Sequence, residues 1–167
     1  APLAREVGFP CVVKPVSLSA SRGVIRADTA REAELAATRI REILRRADED
    51  PAGPLLVERY IRGAEVAVEG MLRGGELEVV AVFDKPDPLE GPIFAETLYV
   101  SPSRLPQALQ QRIQAVVEQT AQALGLTTGP VHAEARVHQG NVWMLECAAR
   151  TIGGLCARML AFSGGMS

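Results

Sequence analysis

Lysine is almost missing from this chain. Of 18 basic residues only Lys14 and Lys85 are lysines, the rest being arginine, so each lysine is an exception to how the chain supplies positive charge. An excess of one sign is missing too. The 20 acidic and 18 basic residues are spread through the sequence for a net charge of −2, with no basic stripe to hold a nucleic acid or an acidic membrane surface. Cysteine is scarce: Cys11, Cys147 and Cys156 have no metal-type spacing and cannot all pair, which suits reduced thiols used as small apolar fillers and argues against a disulfide framework. No apolar run approaches the roughly 20 residues of a membrane-spanning helix and no charged-then-apolar leader is visible, so a cytoplasmic chain is expected. Internal repeats and low-complexity segments are also lacking.

What remains is a chain of 167 residues, 47% hydrophobic and 23% charged, enough for one compact domain or two small lobes. It opens on "APLAREVGFP", without an initiator methionine and with the look of a helix under way, and stops at "FSGGMS". The expectation is a fragment of something longer.

Residues 1 to 8 read as the end of a helix stopped by Gly8, and "PCVVKP" as a short buried strand that delivers Lys14 to its end. A Ser/Gly-rich loop leads to a second strand at "GVIRA". Thr29 with Glu32 three residues on forms a capping box. Ala33, Ala36, Ile40, Ile43, Leu44 and Ala47 then keep helical spacing until "DEDPAG". "PLLVERYI" is strand-like, and two alternating runs around Gly74-Gly75 make a hairpin. "IFAETLYV" reads as another strand. Pro106 opens a long helix that Gly125 stops, and "GPVHAEARVHQGNVWMLECAAR" closes the chain as two strands around Gly140. The class is α+β, with mostly antiparallel sheets.

Glu134 and Glu146 lie in the two strands of that last hairpin. If the hairpin is centred on Gly140 with an odd-numbered loop, they stand directly opposite. Like charges at that separation repel, but a divalent cation would reverse the sign, and Mg²⁺ commonly takes one or two protein carboxylates. A two-residue turn at Gln139-Gly140 instead shifts the register by one, sends the glutamates to opposite faces and leaves two solvated charges. The arginine fork of Arg150, four residues past Glu146, is suited to a transferring phosphoryl group and equally to a surface ion pair. Gly153-Gly154 beyond it allow close backbone approach to a ligand, or mark an ordinary loop boundary.

Taken in order, "GFPCVVKP", "LLVERYIRGAE" and "LECAAR" resemble the ATP-grasp superfamily, over nearly the whole chain. The resemblance implies an ATP-grasp fold of two α+β lobes: residues 1–60 as the smaller, and residues 61–167 as the larger, truncated one. By it Lys14 contacts nucleotide phosphates, and Ser19, Ser21, Arg22 and Gly23 form the mobile loop over them. Glu58, Arg59, Tyr60 and Ile61 form the hinge that binds adenine through its backbone, and Glu65 takes the ribose hydroxyls. Glu134 and Glu146 are the Mg²⁺ ligands, Mn²⁺ being an alternative ion, and Arg150 together with Glu146 is catalytic. Gly153, Gly154 and Lys85 are expected near substrate, although no motif carries Lys85. Many family members have Asn two residues after the second Glu. Ala148 stands there in this chain, which leaves the coordination of a second metal open.

The tail "ARTIGGLCAR" and the segment "FDKPD…YVSPSRLP" look most like the amino-acid ligase branch that makes dipeptides. The implied activity is ATP-dependent ligation of a carboxylate donor to an amine acceptor through an acyl phosphate. Bicarbonate activation, as in biotin carboxylase or carbamoyl phosphate synthase, is the alternative within enzymes. An ATP-binding module without catalysis, or a purely structural domain, stand outside them. The resemblance also implies an N-terminal domain of the same protein as a partner, with a homodimer as an option, and no nucleic-acid or membrane partner.

Overall fold

The computed structural model describes residues 2–159; the closing "FSGGMS" lies outside them. Two compact units emerge among the described residues, one formed by residues 2–61 with Leu89–Glu96 and the other by Arg62–Pro88 with residues 97–159.

In the first unit, helix α1 (Pro2–Val7) precedes strand β1 (Cys11–Pro15), β2 (Ile25–Ala27), helix α2 (Ala30–Arg46) and β3 (Leu55–Arg59). The strands form an antiparallel sheet in the order β2-β1-β3. Alternation along β1 sends Cys11 and Val13 into a core with Ala33, Ala36, Ile40 and Leu44 of α2, while Val12 and Lys14 take the opposite face. Thr29 caps α2 by accepting from the Glu32 N–H at 3.2 Å. The reciprocal bond runs from the Asp28 N–H to Glu32 Oε2 at 2.8 Å, one residue earlier than a capping box requires.

The second unit holds β4 (Ala64–Arg73), β5 (Glu76–Lys85), helix α3 (Gln107–Ala123), β6 (Gly129–His138), β7 (Asn141–Ala148) and a 3₁₀ turn (Gly154–Met159). Its sheet is antiparallel in the order β5-β4-β6-β7. Ile113, Val117 and Ala121 of α3 pack on one face of that sheet against Val66, Val68, Leu72, Val131, Ala133 and Ala135. The opposite face carries the charge.

"IFAETLYV" does not form a strand. Only isolated bridges occur there, Ile25 with Ile93 and Asp84 with Val100, because the anchors of the run are divided. Phe94 stacks on Tyr60 in the first unit, whereas Tyr99 meets Phe83 edge-on in the second. A run whose aromatic residues serve two separate cores has no continuous strand to pair with. Among the described residues no helix is long and apolar enough to cross a membrane.

Candidate functional site

In the first unit, Lys14 lies on the sheet face that α2 does not cover. Its Nζ pairs with Glu58 Oε2 at 2.6 Å, and Val12 is the residue directly opposite Glu58, so lysine and glutamate are diagonal neighbours on adjacent strands. The loop after β1 turns through Ala20 and Ser21, both in the left-handed region (φ 57° and 54°). It is closed by Arg22 N–H to Ser19 O at 3.3 Å and Val24 N–H to Ser21 O at 3.2 Å. Gly23 is buried at φ 79°, where a Cβ would stand 3.2 Å from the Pro15 ring. Arg59 is exposed at the end of β3, and Ile61 ends the first stretch of this unit. Tyr60 is buried: its N–H donates to Pro10 O at 3.1 Å, its hydroxyl reaches Leu89 O at 3.5 Å, and the Arg26 guanidinium sits 4.4 Å above its ring. That cation–π contact was not anticipated from sequence.

In the second unit the geometry begins with the β6–β7 hairpin. The two-residue turn forms: His138 faces Asn141, and Gln139 and Gly140 both have positive φ, as a type I′ turn needs. By itself that turn would send the glutamates to opposite faces. The register then jumps from Ala135 opposite Met144 to Glu134 opposite Glu146, leaving Leu145 as an extra residue. This β-bulge restores the lost step and places the two carboxylates side by side on one face.

Around them lies a charge network that sequence reasoning largely missed. Glu65 directly faces Lys85 on one side and Arg136 on the other, and it accepts from Lys85 Nζ at 2.9 Å and Arg136 Nε at 2.8 Å. Lys85 Nζ also reaches Glu134 Oε1 at 2.8 Å and stands 5.2 Å from the Tyr99 ring centre. Glu69 faces His132, whose Nδ1 it engages, while His132 Nε2 lies 3.5 Å from Glu134 Oε1. Arg150 Nη2 reaches Glu146 Oε1 at 3.3 Å, and both side chains are about half exposed. Gly153 and Gly154 follow in the open, with no atom within 4 Å of an added Cβ.

Four carboxylates (Glu65, Glu69, Glu134, Glu146) thus meet four basic groups (Lys85, His132, Arg136, Arg150). Burial alone would push Glu134 up, but the His132 hydrogen bond and the charge of Lys85 hold it down at about 2. Burial acts to lower His132, and the hydrogen bonds and charges of Glu134 and Glu69 outweigh it, holding it up at about 9. At neutral pH Glu134 is therefore ionised and His132 is an imidazolium. An all-oxygen donor pair fixed by a sheet suits Mg²⁺. The signal for the missed residues was in the sequence: "HAEAR" puts His132, Glu134 and Arg136 on one parity with alanines between, and Glu65 and Glu69 sit four apart in a strand.

The family model described as ATP-grasp domain matches residues 7–159. The chain belongs to the ATP-grasp family. Among curated relatives, the alanine–anticapsin ligase of Bacillus subtilis is 27% identical over 166 residues, 89% of this chain and 34% of that protein. The D-alanine–D-alanine ligase of Anaeromyxobacter sp. (strain Fw109-5) is 35% identical over 122 residues, 71% of this chain and 36% of that protein. The crystal structure of the L-amino acid ligase from Bacillus licheniformis superposes with a TM-score of 0.67 at 30% identity, covering 86% of this chain and 32% of that one. The chain spans about a third of the length of the curated relatives it matches.

Proposed function

We propose that this chain is the nucleotide- and metal-binding part of an ATP-dependent carboxylate–amine ligase acting on amino-acid substrates. The observation that carries the reading is the direct pairing of Glu134 with Glu146, restored by the bulge and followed by Arg150. A pair of like charges on facing strands costs stability unless positive groups join it; Lys85 and His132 hold Glu134 and Arg150 holds Glu146, and a divalent cation bound to both carboxylates would share that role. The names of the relatives support ligation and amino acids as the substrate class.

In the first unit Lys14 and the Ser19–Gly23 loop serve the nucleotide phosphates, and the Glu58–Ile61 stretch serves the adenine. In the second, Glu134 and Glu146 hold Mg²⁺, Arg150 faces the transferring phosphoryl group, and Lys85, Gly153 and Gly154 border the substrate. Glu65 is proposed for the ribose hydroxyls, which must then share it with Lys85 and Arg136. In the reaction a substrate carboxylate takes the γ-phosphoryl group of ATP, releasing ADP and giving an acyl phosphate, and the amine then displaces inorganic phosphate and loses a proton to form the amide. Bound Mg²⁺ supplies charge neutralisation at the phosphate oxygens. Arg150 turns from Glu146 to the phosphoryl group and stabilises its developing charge.

The test is a thermal-shift titration of the chain beside a Glu134→Gln, Glu146→Gln variant. Because Lys85 and His132 already hold Glu134 and Arg150 already holds Glu146, Mg²⁺ alone is expected to shift the midpoint little, and Mg²⁺ with ATP to raise it. The variant is expected to lose the metal-dependent part. A Mg²⁺–ATP shift that survives in the variant would refute the metal assignment. On the longer protein, Arg150→Ala is expected to lower turnover by about 10²–10³ while nucleotide binding survives.

A further inference from the structure

Glu69 is 1% exposed, and neither nucleotide nor metal is assigned to it. Its two oxygens face different parts of the second unit. Oε1 engages His132 Nδ1, and Oε2 accepts the Ile152 N–H at 2.8 Å. Ile152 is the second residue after Arg150 and comes just before Gly153 and Gly154. His132, through Nε2, lies against Glu134. A buried chain of polar contacts therefore runs from the backbone of the Arg150–Gly154 segment, through Glu69 and His132, to one of the two paired carboxylates.

We propose that Glu69 and His132 are positioning residues that fix the Arg150–Gly154 segment and the Glu134 carboxylate in one arrangement, so that each is set when the other is. The proposal rests on the reading of Glu134 as a metal ligand and goes beyond it by coupling that ligand to the arginine segment.

Packing alone does not call for this device. Ile152 already packs its side chain with Ala67 and Phe83, and an apolar residue at 69 would extend that cluster. Replacing a buried polar network by apolar side chains is often neutral or stabilising. What an apolar residue cannot do is hold a backbone amide and an imidazole in fixed directions. Two glycines follow Ile152, one at φ 65°, so the backbone beyond it has no side chain of its own to fix its direction. The Glu69 carboxylate supplies the tie, at the Ile152 N–H.

Amide hydrogen exchange at Ile152 in the full-length protein reads the coupling directly. In the unmodified protein, Mg²⁺–ADP is expected to slow that exchange. Unchanged exchange, with binding verified by thermal shift, overturns the proposal. In Glu69→Leu, Ile152 exchange is expected to rise about tenfold or more. Turnover is expected to fall about 10²-fold, as misplacement by an ångström does, and half-saturation by Mg²⁺ to need more metal. Glu69→Gln keeps one oxygen, which can accept from the Ile152 amide or from the imidazolium Nδ1–H but not from both, and is expected to fall between Glu69→Leu and the unmodified protein in each measurement. Should Glu69→Leu fail to fold, the nucleotide-dependent exchange in the unmodified protein decides. A Glu134→Gln arm separates the two readings. If it leaves Mg²⁺–nucleotide binding intact, the metal assignment falls. If it abolishes that binding while Glu69→Leu changes neither exchange nor metal requirement, only the clamp falls.

Discussion

Replacing Lys85 by methionine tests the electrostatics of the second unit most directly. The Lys85 side chain is 3% exposed and its Nζ lies 2.9 Å from Glu65 and 2.8 Å from Glu134. Methionine preserves much of the volume and removes the charge, leaving two buried carboxylates short of a partner. Breaking a buried ion pair from one side costs about 3–5 kcal/mol. Arg136 still holds Glu65 and His132 still faces Glu134, so the lower end, about 3 kcal/mol, is expected at pH 7. Trp143 is the only tryptophan and sits in β7 of the same sheet, so urea unfolding followed by its fluorescence reports on this unit. The pH dependence supplies a second check. Glu134 is held at about 2 against an ordinary 4.5, so its contribution is present above 4.5 and lost as pH falls through 2. Without Lys85 its pKa rises, and protonation relieves the variant at a higher pH. The gap between the two proteins is therefore expected to narrow from pH 7 towards pH 4. A loss below about 1 kcal/mol at pH 7, or a gap independent of pH, would refute the reasoning.

Three further outcomes are expected. Gly63 has φ 114° and a Cβ there would stand 2.0 Å from Val137 O, so Gly63→Ala is expected to cost about 2–4 kcal/mol in urea unfolding; a cost under 1 would contradict the close approach. Thr29→Ala removes the cap on the Glu32 N–H and is expected to cost about 1 kcal/mol, read by circular dichroism, with Thr29→Ser near neutral. His132 is held up at about 9, so its contribution is complete below 6.5 and lost as pH rises through 9. Allowing for solvent screening, about 1–3 kcal/mol should disappear between pH 6.5 and 9.5 in Trp143-monitored unfolding, and His132→Gln should flatten that slope.

Elements with their own local signal were legible in the sequence. The run from Ala33 to Leu44 has helical period, Thr29 marks its start, and the hairpin at Gly74-Gly75 has the glycines its turn needs. "IFAETLYV" misled because its alternation reflects two cores rather than one sheet partner. Direct pairing of Glu134 with Glu146 was expected only for an odd-numbered loop, and a two-residue turn with the glutamates on opposite faces was the open alternative. The structure reaches the direct pairing through an even turn and a bulge, and a bulge leaves no local mark in "WMLEC". Strand parity marked which face Glu69 and His132 share with their neighbours, but their pairing joins cross-strand residues 63 apart, which no single stretch displays.

The bulge at Leu145 makes the last hairpin behave like a vernier. In a chain of this length turn and bulge each contribute one step of phase between the strands, and only their sum sets whether the two glutamates share a face. Deleting Leu145 would let the residue after Met144, which is then Glu146, pair with Glu134 in a regular ladder, so the glutamates would stay face to face without the bulge. The extra residue is therefore dispensable for the pairing once the chain is shortened, and what it adds is the local bend and twist of a bulge beside the two carboxylates.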